Sequence, residues 1–172
     1  MMTSEDVLAV MDALSAAGCR VWLDGGWAVD AIIGEETREH DDLDLVAELD
    51  AVETVRQALA PLGYRLETDE RPVRVAFAGP SSRGVDLHTV VFDEGGGGVQ
   101  PQPHGGTFRY PAEGFSGTGA VAGRILPCLS ADVQLACHAG YEPDEKDRHD
   151  VALLVERFGL TPPPAYREAS AS

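Results

Sequence analysis

Asp42-Leu43-Asp44-Leu45, downstream of the pair Gly25-Gly26, is the stretch whose reading decides the fold. Acidic and apolar residues alternate through it, as in a strand with one buried face. Positions i and i+2 of a strand share a face, so Asp42 and Asp44 stand side by side. A fold accepts two adjacent carboxylates most readily when a cation sits between them. Oxygen ligands from one or two carboxylates, with water and phosphate completing the shell, are what Mg²⁺ prefers. The pair therefore points to metal-dependent chemistry on a nucleotide.

Working outward, Val21-Trp22-Leu23 reads as a short buried strand running into Asp24-Gly25-Gly26. A helix from Trp27 to Ile33 follows at once and is closed by Gly34. Glycine lets a phosphate approach the backbone, and a helix N-terminus offers free N–H groups to an anion. Downstream, Val85 to Phe92 reads as a strong strand carrying Asp86 and His88. Asp86 lies between Val85 and Leu87, where the pattern predicts burial or a site. If that strand lies beside the Asp42–Asp44 strand, three carboxylates share one face. Two can hold Mg²⁺ between α-, β- and γ-phosphates. The third can ligate a second metal or take a proton from an attacking hydroxyl.

The remaining elements are consistent with one α+β domain over residues 1–160 with a helical C-terminal portion. Thr3-x-x-Asp6 predicts a capping box, and Val7, Val10, Met11 and Leu14 form a helical stripe ending near Gly18. Asp50-x-x-Glu53 predicts a second cap, with a helix to about Ala60. Tyr64 to Thr68 and Val73 to Ala78 read as antiparallel strands, and Ser81-Ser82-Arg83-Gly84 as a turn. Gly95 to Gly98 reads as a hairpin loop; no helix start or Lys-Ser/Thr follows it, so a P-loop is not supported. Thr107 to Tyr110 and Val121 to Leu126 add strands. Ser130 is expected to cap a helix to about Gly140, and Lys146 or Asp147 to Phe158 forms the last one. Residues 161–172, with Pro162-Pro163-Pro164, read as a disordered tail.

Composition excludes several functions. The 172 residues carry 13 Lys and Arg against 29 Asp and Glu, a net charge of −16. Nucleic-acid binding draws on phosphate neutralisation by Lys and Arg, so a nucleic-acid partner is not expected. No apolar run approaches the ~20 residues that span a bilayer, and the N-terminus lacks the basic region of a signal peptide. Cys19, Cys128 and Cys137 form no CxxC pair and read as reduced thiols of a cytoplasmic protein.

The order Gly-Gly, Asp-x-Asp, then a lone strand Asp resembles the DNA polymerase β nucleotidyltransferase superfamily. The longer signature Trp22-Leu23-Asp24-Gly25-Gly26-Trp27-Ala28-Val29-Asp30, followed by Arg38-Glu39-His40-Asp41-Asp42-Leu43-Asp44, looks like that of the small antibiotic nucleotidyltransferases. The short lincosamide nucleotidyltransferases fit best. The similarity continues at Asp86-Leu87-His88, at Ile125-Leu126-Pro127-Cys128-Leu129-Ser130 and at His138-Ala139-Gly140-Tyr141. It covers about residues 5–160.

The resemblance implies a nucleotidyltransferase fold, a mixed β-sheet flanked by helices lying on one side. It implies transfer of AMP from ATP to a drug hydroxyl, with Mg²⁺ and release of pyrophosphate, in a homodimer. Asp42 and Asp44 would be metal ligands, and Asp86 the third carboxylate, as ligand or general base. Gly25 and Gly26 would contact the triphosphate, and residues 95–119 would face the acceptor. A lincosamide is the acceptor that fits best, and an aminoglycoside is the runner-up. An unknown metabolite, or a regulatory antitoxin-type module acting on a protein partner, are further alternatives.

Each remaining residue has a functional and a plain reading. Arg38 pairs with phosphate oxygens or with a surface acid. His40, counted with Arg38 at the nucleotide, orients Asp42 or a loop carbonyl rather than ligating Mg²⁺. His88 touches the acceptor, organises Asp86, or is a satisfied structural histidine. His138 and Tyr141 line the cleft or pack, and Lys146 reaches a phosphate or solvent. Asp24 and Asp30 read as structural and Trp27 as a core anchor. Asp147 and Asp150 suit a helix N-terminus.

Overall fold

A computed structural model describes residues 1–103 and 105–167. The capping box forms as expected: Thr3 Oγ1 accepts from Asp6 N, and the Asp6 carboxylate accepts from Thr3 N at 3.0 Å. It opens helix α1 (Ser4–Ala16), whose Val7, Val10, Met11 and Leu14 are all buried. Strand β1 (Val21–Asp24) leads directly into α2 (Gly25–Ile33), which ends at Gly34 in the left-handed conformation. Strand β2 (Asp42–Glu48) precedes α3 (Val52–Leu59). The cap expected at Asp50 is not made. A short 3₁₀ turn, Leu49–Ala51, leads in instead, and Glu53 turns outward to Arg56 and Gln57.

Strands β3 (Arg65–Glu70), β4 (Arg74–Ala78) and β5 (Gly84–Phe92) complete the centre of the sheet. The order is β1-β2-β5-β4-β3, with β2 and β5 parallel and the other pairs antiparallel. The far end of β5 pairs with β6 (Gly98–Pro101), which pairs with β7 (Thr107–Tyr110). The glycine-rich segment is the hairpin loop between β5 and β6, and Asp93 Oδ1 accepts from Gly95 N and Gly97 N there.

The period of two sorts the sheet into two faces. Leu23, Leu43, Leu45, Val85, Leu87, Val75 and Phe77 point to one face and form the main core with α1, α2 and α3. A fully buried Leu contributes about 1.5–3 kcal/mol, which is how this face holds the register. The opposite face carries Asp24, Asp42, Asp44, Asp86 and His88. Its far end is roofed by Phe115, Leu129 and Val133 over Trp22, Val46 and Val90.

Val133 belongs to α4 (Ala131–Cys137), so the expected placement of helices on one side needs correction: this helix reaches the other face. Ser130 stands at its N-cap without a side-chain bond. The run Val121 to Leu126, read as one strand, is a hairpin: β8 (Thr118–Val121) and β9 (Arg124–Pro127) turn at Ala122-Gly123. The last helix, α5 (Glu145–Phe158), opens on a capping box between Asp144 and Asp147 and packs against Val29 of α2. Of the tail expected to be disordered, Pro164–Tyr166 forms a 3₁₀ turn packed near the α5 cluster. Residues 168–172 lie outside the described residues. Among the described residues no helix is long and apolar enough to cross a membrane.

Candidate active site

Register places the carboxylates. Asp24 of β1 faces Asp44 of β2, and Asp44 faces Asp86 of β5, so three acids stand in one row across three strands. Asp42 lies two residues before Asp44 on the same face, opposite Gly84. A Cβ at Gly84 would lie 3.3 Å from Asp42 Cβ, so glycine keeps that flank open. Strand period puts Asp42 and Asp44 on one face, and the parallel pairing of β2 with β5 brings Asp86 beside them. Asp24 joins them through the antiparallel pairing of β1 with β2.

The Gly25-Gly26 turn presses onto two different neighbours. Gly25 has φ +59°, and a Cβ there would strike the Asp44 carboxylate. A Cβ on Gly26 would collide with Arg38 and come within 2.7 Å of the His40 ring. Only glycine fits at either place. The Gly25 N–H is already taken by Asp24 Oδ1 at 2.8 Å. An anion at this turn is therefore left to the later N–H groups of the first turn of α2.

On the Gly26 side Arg38, His40, Asp30 and Asp150 are linked by hydrogen bonds. Arg38 donates from Nε to Asp150 Oδ1 at 2.9 Å and from Nη2 to Asp150 Oδ2 at 2.6 Å. Its Nη1 lies 3.0 Å from His40 Nδ1. Guanidinium can only donate, so Nδ1 accepts, and His40 Nε2 donates to Asp30 Oδ2 at 2.6 Å. Thr37 caps the other Asp30 oxygen at 2.5 Å, and Trp27 packs on the His40 ring at 4.6 Å between centroids. Arg38, expected at phosphates or a surface acid, is held by a buried acid of α5. His40, expected to orient Asp42 or a loop carbonyl, instead has its nitrogens on Arg38 and Asp30. Asp150, read as an N-terminal charge, is 2% exposed and completes this clasp.

On the Gly25 side charge is crowded. Burial pushes Asp44 up to about 7, and Asp42, Asp24 and Asp86 push the same way against the opposing pull of His88. Burial also raises Asp86, partly offset by Arg74, whose Nη2 lies 3.1 Å from Asp86 Oδ2. His88 Nδ1 donates to Asp24 Oδ2 at 3.0 Å, while its Nε2 lies 3.9 Å from Asp44 Oδ1. Burial works against the His88 charge, but Asp24, Asp44 and Asp86 outweigh it and raise the group to about 9. Burial would lift Asp24, yet His88 and the Gly25 N–H hold it below the usual carboxylate range.

Asp24, Asp42, Asp44, Arg74 and His88 line a cleft of about 640 Å³. One bank is Lys146, Asp144 and Asp147 at the start of α5, with Tyr141, whose hydroxyl donates to Asp147 Oδ1 at 2.9 Å. Lys146 Nζ lies 3.3 Å from Asp41, an exposed pair. His138 Nδ1 donates to the Gln134 carbonyl at 2.7 Å. The other bank is Val73, Arg74, Gln100, Phe108 and Tyr110, from β4, β6 and β7 and their approaches. Tyr110 donates to Gln100 Oε1 at 2.8 Å.

Among the described residues no three acids, histidines or cysteines are gathered closely enough to cage a metal by themselves. A two-carboxylate Mg²⁺ site that borrows phosphate oxygens from its nucleotide needs no such cage. Asp42 and Asp44, with the Cβ-free cradle at Gly25, fit that kind of site. Arg74 was missed in the sequence because a lone cation at the head of a strand carries no pattern. Asp24 was legible only through register.

With this geometry in view, comparison with known proteins is direct. The family model for aminoglycoside-2''-adenylyltransferase matches residues 6–154. A lincosamide resistance protein of Staphylococcus haemolyticus is 31% identical over 153 residues, covering 89% of this chain and 94% of that one. The lincomycin-bound crystal structure of the lincosamide antibiotic adenylyltransferase LnuA superposes with a TM-score of 0.78 at 29% identity, over 89% of this chain and 96% of that one. ANT(2'')-Ia with adenylyl-2''-tobramycin gives 0.69 at 19% identity, over 90% and 88%, a likeness of fold. The chain belongs to the aminoglycoside-2''-adenylyltransferase family, as a lincosamide nucleotidyltransferase-like member. It is a nucleotidyltransferase of the adenylyltransferase kind.

Proposed function

We propose that this enzyme transfers AMP from ATP to a hydroxyl of a lincosamide antibiotic and so confers resistance to it. The observation that carries the chemistry is the placing of Asp42, Asp44 and Asp86 on one face beside the Gly25-Gly26 turn. Asp42 and Asp44 would hold Mg²⁺, which when bound would neutralise phosphate charge and make the α-phosphorus a better electrophile. The acceptor oxygen attacks that phosphorus, the bond to the oxygen bridging to the β-phosphate breaks, and pyrophosphate leaves. The hydroxyl proton passes to Asp86, whose burial lifts its affinity for a proton.

The acceptor is argued from the bank of β4, β6 and β7. Its cleft-lining residues Val73, Phe108 and Tyr110 are apolar or aromatic, and Gln100 and Gln102 offer amides. None of its described cleft-lining residues is a carboxylate. That wall suits a sugar bearing apolar substituents better than a polycation. The lincosamide resistance protein that aligns over most of the chain supports the same choice. An aminoglycoside acceptor is the second reading, favoured by Asp144 and Asp147 on the α5 bank and by the matching family model. Family resemblance also supports a homodimer, which sedimentation measures.

The test is purified protein with Mg²⁺-ATP and lincomycin, clindamycin or tobramycin in parallel. Mass spectrometry should find one AMP added to the lincosamides. Addition to tobramycin alone selects the second reading, and modification of neither drug sinks both.

A further inference from the structure

We infer that Asp24 and His88 are positioning residues for Asp44: Asp24 anchors the His88 ring so that its second nitrogen backs the Asp44 carboxylate from the side away from Asp42. This rests on the proposed metal role of Asp42 and Asp44. Asp24 is 3% exposed, and its two oxygens are committed, one to the Gly25 N–H at 2.8 Å and one to His88 Nδ1 at 3.0 Å. The His88 ring thus crosses from β5 over β2 toward β1. Its Nε2 ends 3.9 Å from Asp44 Oδ1. Asp42 and His88 flank the Asp44 row on opposite sides along the strands, because Asp42 lies two residues before Asp44 and His88 two residues after Asp86, opposite Val46.

Gln134 is fully buried and borders the same cleft, and neither of its amide atoms has a hydrogen-bond partner among the described residues. Carboxylates that bind metals are steered by groups behind them, and loss of such a group typically costs about 10–100-fold in metal affinity or activity. Asp24 also caps α2. One side chain therefore couples the glycine turn to the orientation of the neighbouring metal-bearing carboxylate.

The experiment is Mn²⁺ binding, followed by electron paramagnetic resonance with a non-hydrolysable ATP analogue, on the full chain. His88→Leu should weaken Mn²⁺ about 10–100-fold and leave the acceptor KM within about twofold. His88→Gln, which keeps an N–H able to reach Asp44, should recover part of the loss, and Asp24→Asn should fall between. Circular dichroism checks that each variant folds; if His88→Leu does not, the two polar variants carry the measurement. Unchanged Mn²⁺ affinity in the His88 variants, or a loss confined to the acceptor KM, overturns the inference. Asp42→Asn and Asp44→Asn are run alongside. If they too bind Mn²⁺ normally, it is the metal reading that has failed; if they lose it while the His88 variants do not, only the positioning role falls.

Discussion

Two histidine–aspartate pairs flank the Gly25-Gly26 turn, and they differ in what surrounds them. His40–Asp30 is closed: both ring nitrogens and both carboxylate oxygens have partners, and Arg38 and Asp150 lock the arrangement from α5. His88–Asp24 is open: the second nitrogen faces the cleft, and Asp44 and Asp86 crowd beside it. A satisfied cluster holds structure, whereas a row of carboxylates short of cations is arranged for a ligand that brings them. On this contrast we propose that Arg38 and His40 serve the architecture and Asp44 the chemistry.

The largest expected effect tests the open side. Asp44→Asn should lower kcat about a thousandfold or more, the kinetic equivalent of several kcal/mol of lost phosphate stabilisation. In chelated protein the same change should raise Tm, because it removes a charge that the free fold tolerates poorly. A substitution that reduced both activity and Tm would place Asp44 on the closed side of the comparison.

Next is the clasp. Arg38→Leu leaves Asp150 buried and unpaired and should cost about 3–5 kcal/mol in denaturant unfolding. Arg38→Lys should rescue little, since one ammonium cannot reproduce the two-pronged bond. If Arg38→Leu instead kept its stability and raised only the ATP KM, the arginine would be a phosphate ligand and the contrast would break.

Gly25→Ala sits at the border. A strained φ and a collision with the Asp44 carboxylate should displace that group and reduce kcat about a hundredfold. Retained activity in this variant would show that the turn and Asp44 are not coupled.

A pH series gives a smaller readout. Asp44 in the fold keeps its proton up to about 7 against an ordinary 3.8, so its contribution is lost as pH rises from about 4 to 7. His88 is raised from 6.5 to about 9, so its contribution disappears between those values. Both signs agree: the Tm of chelated protein should fall by a few degrees from pH 6 to pH 9, on the order of 2–4 °C per kcal/mol. Mg²⁺ with an ATP analogue should narrow the difference. The smallest effect belongs to Arg74→Ala. Its half-exposed pair with Asp86 contributes about 0–1 kcal/mol, so kcat should change by less than about tenfold.

What was legible in the sequence follows from range. Asp42, Asp44 and Asp86 were readable because a strand's period is two and each acid interrupts an apolar run. Gly25 and Gly26 were readable because they join a strand to a helix. The partner of Arg38 was not readable, because Asp150 lies 112 residues away and looks like any acid in a first helical turn. The row of Asp24, Asp44 and Asp86 needs the pairing of three strands, of which the sequence shows only the alternation. The β8–β9 turn escaped because Ala122 takes a positive φ that its residue type does not advertise. The cap at Asp50 failed because Glu53 found Arg56 and Gln57 nearer at hand.

The Arg38–Asp150 clasp also has a consequence for biosynthesis. Chains emerge from the ribosome N-terminus first, and domains assemble in that direction. The loop that enters the carboxylate strand is made early, but its arginine has no acid to seize until residue 150 has been synthesised. This end of the cleft is therefore completed only after α5 has been made. A truncated product that stops short of α5 would carry every carboxylate of the centre without the brace that holds its entrance.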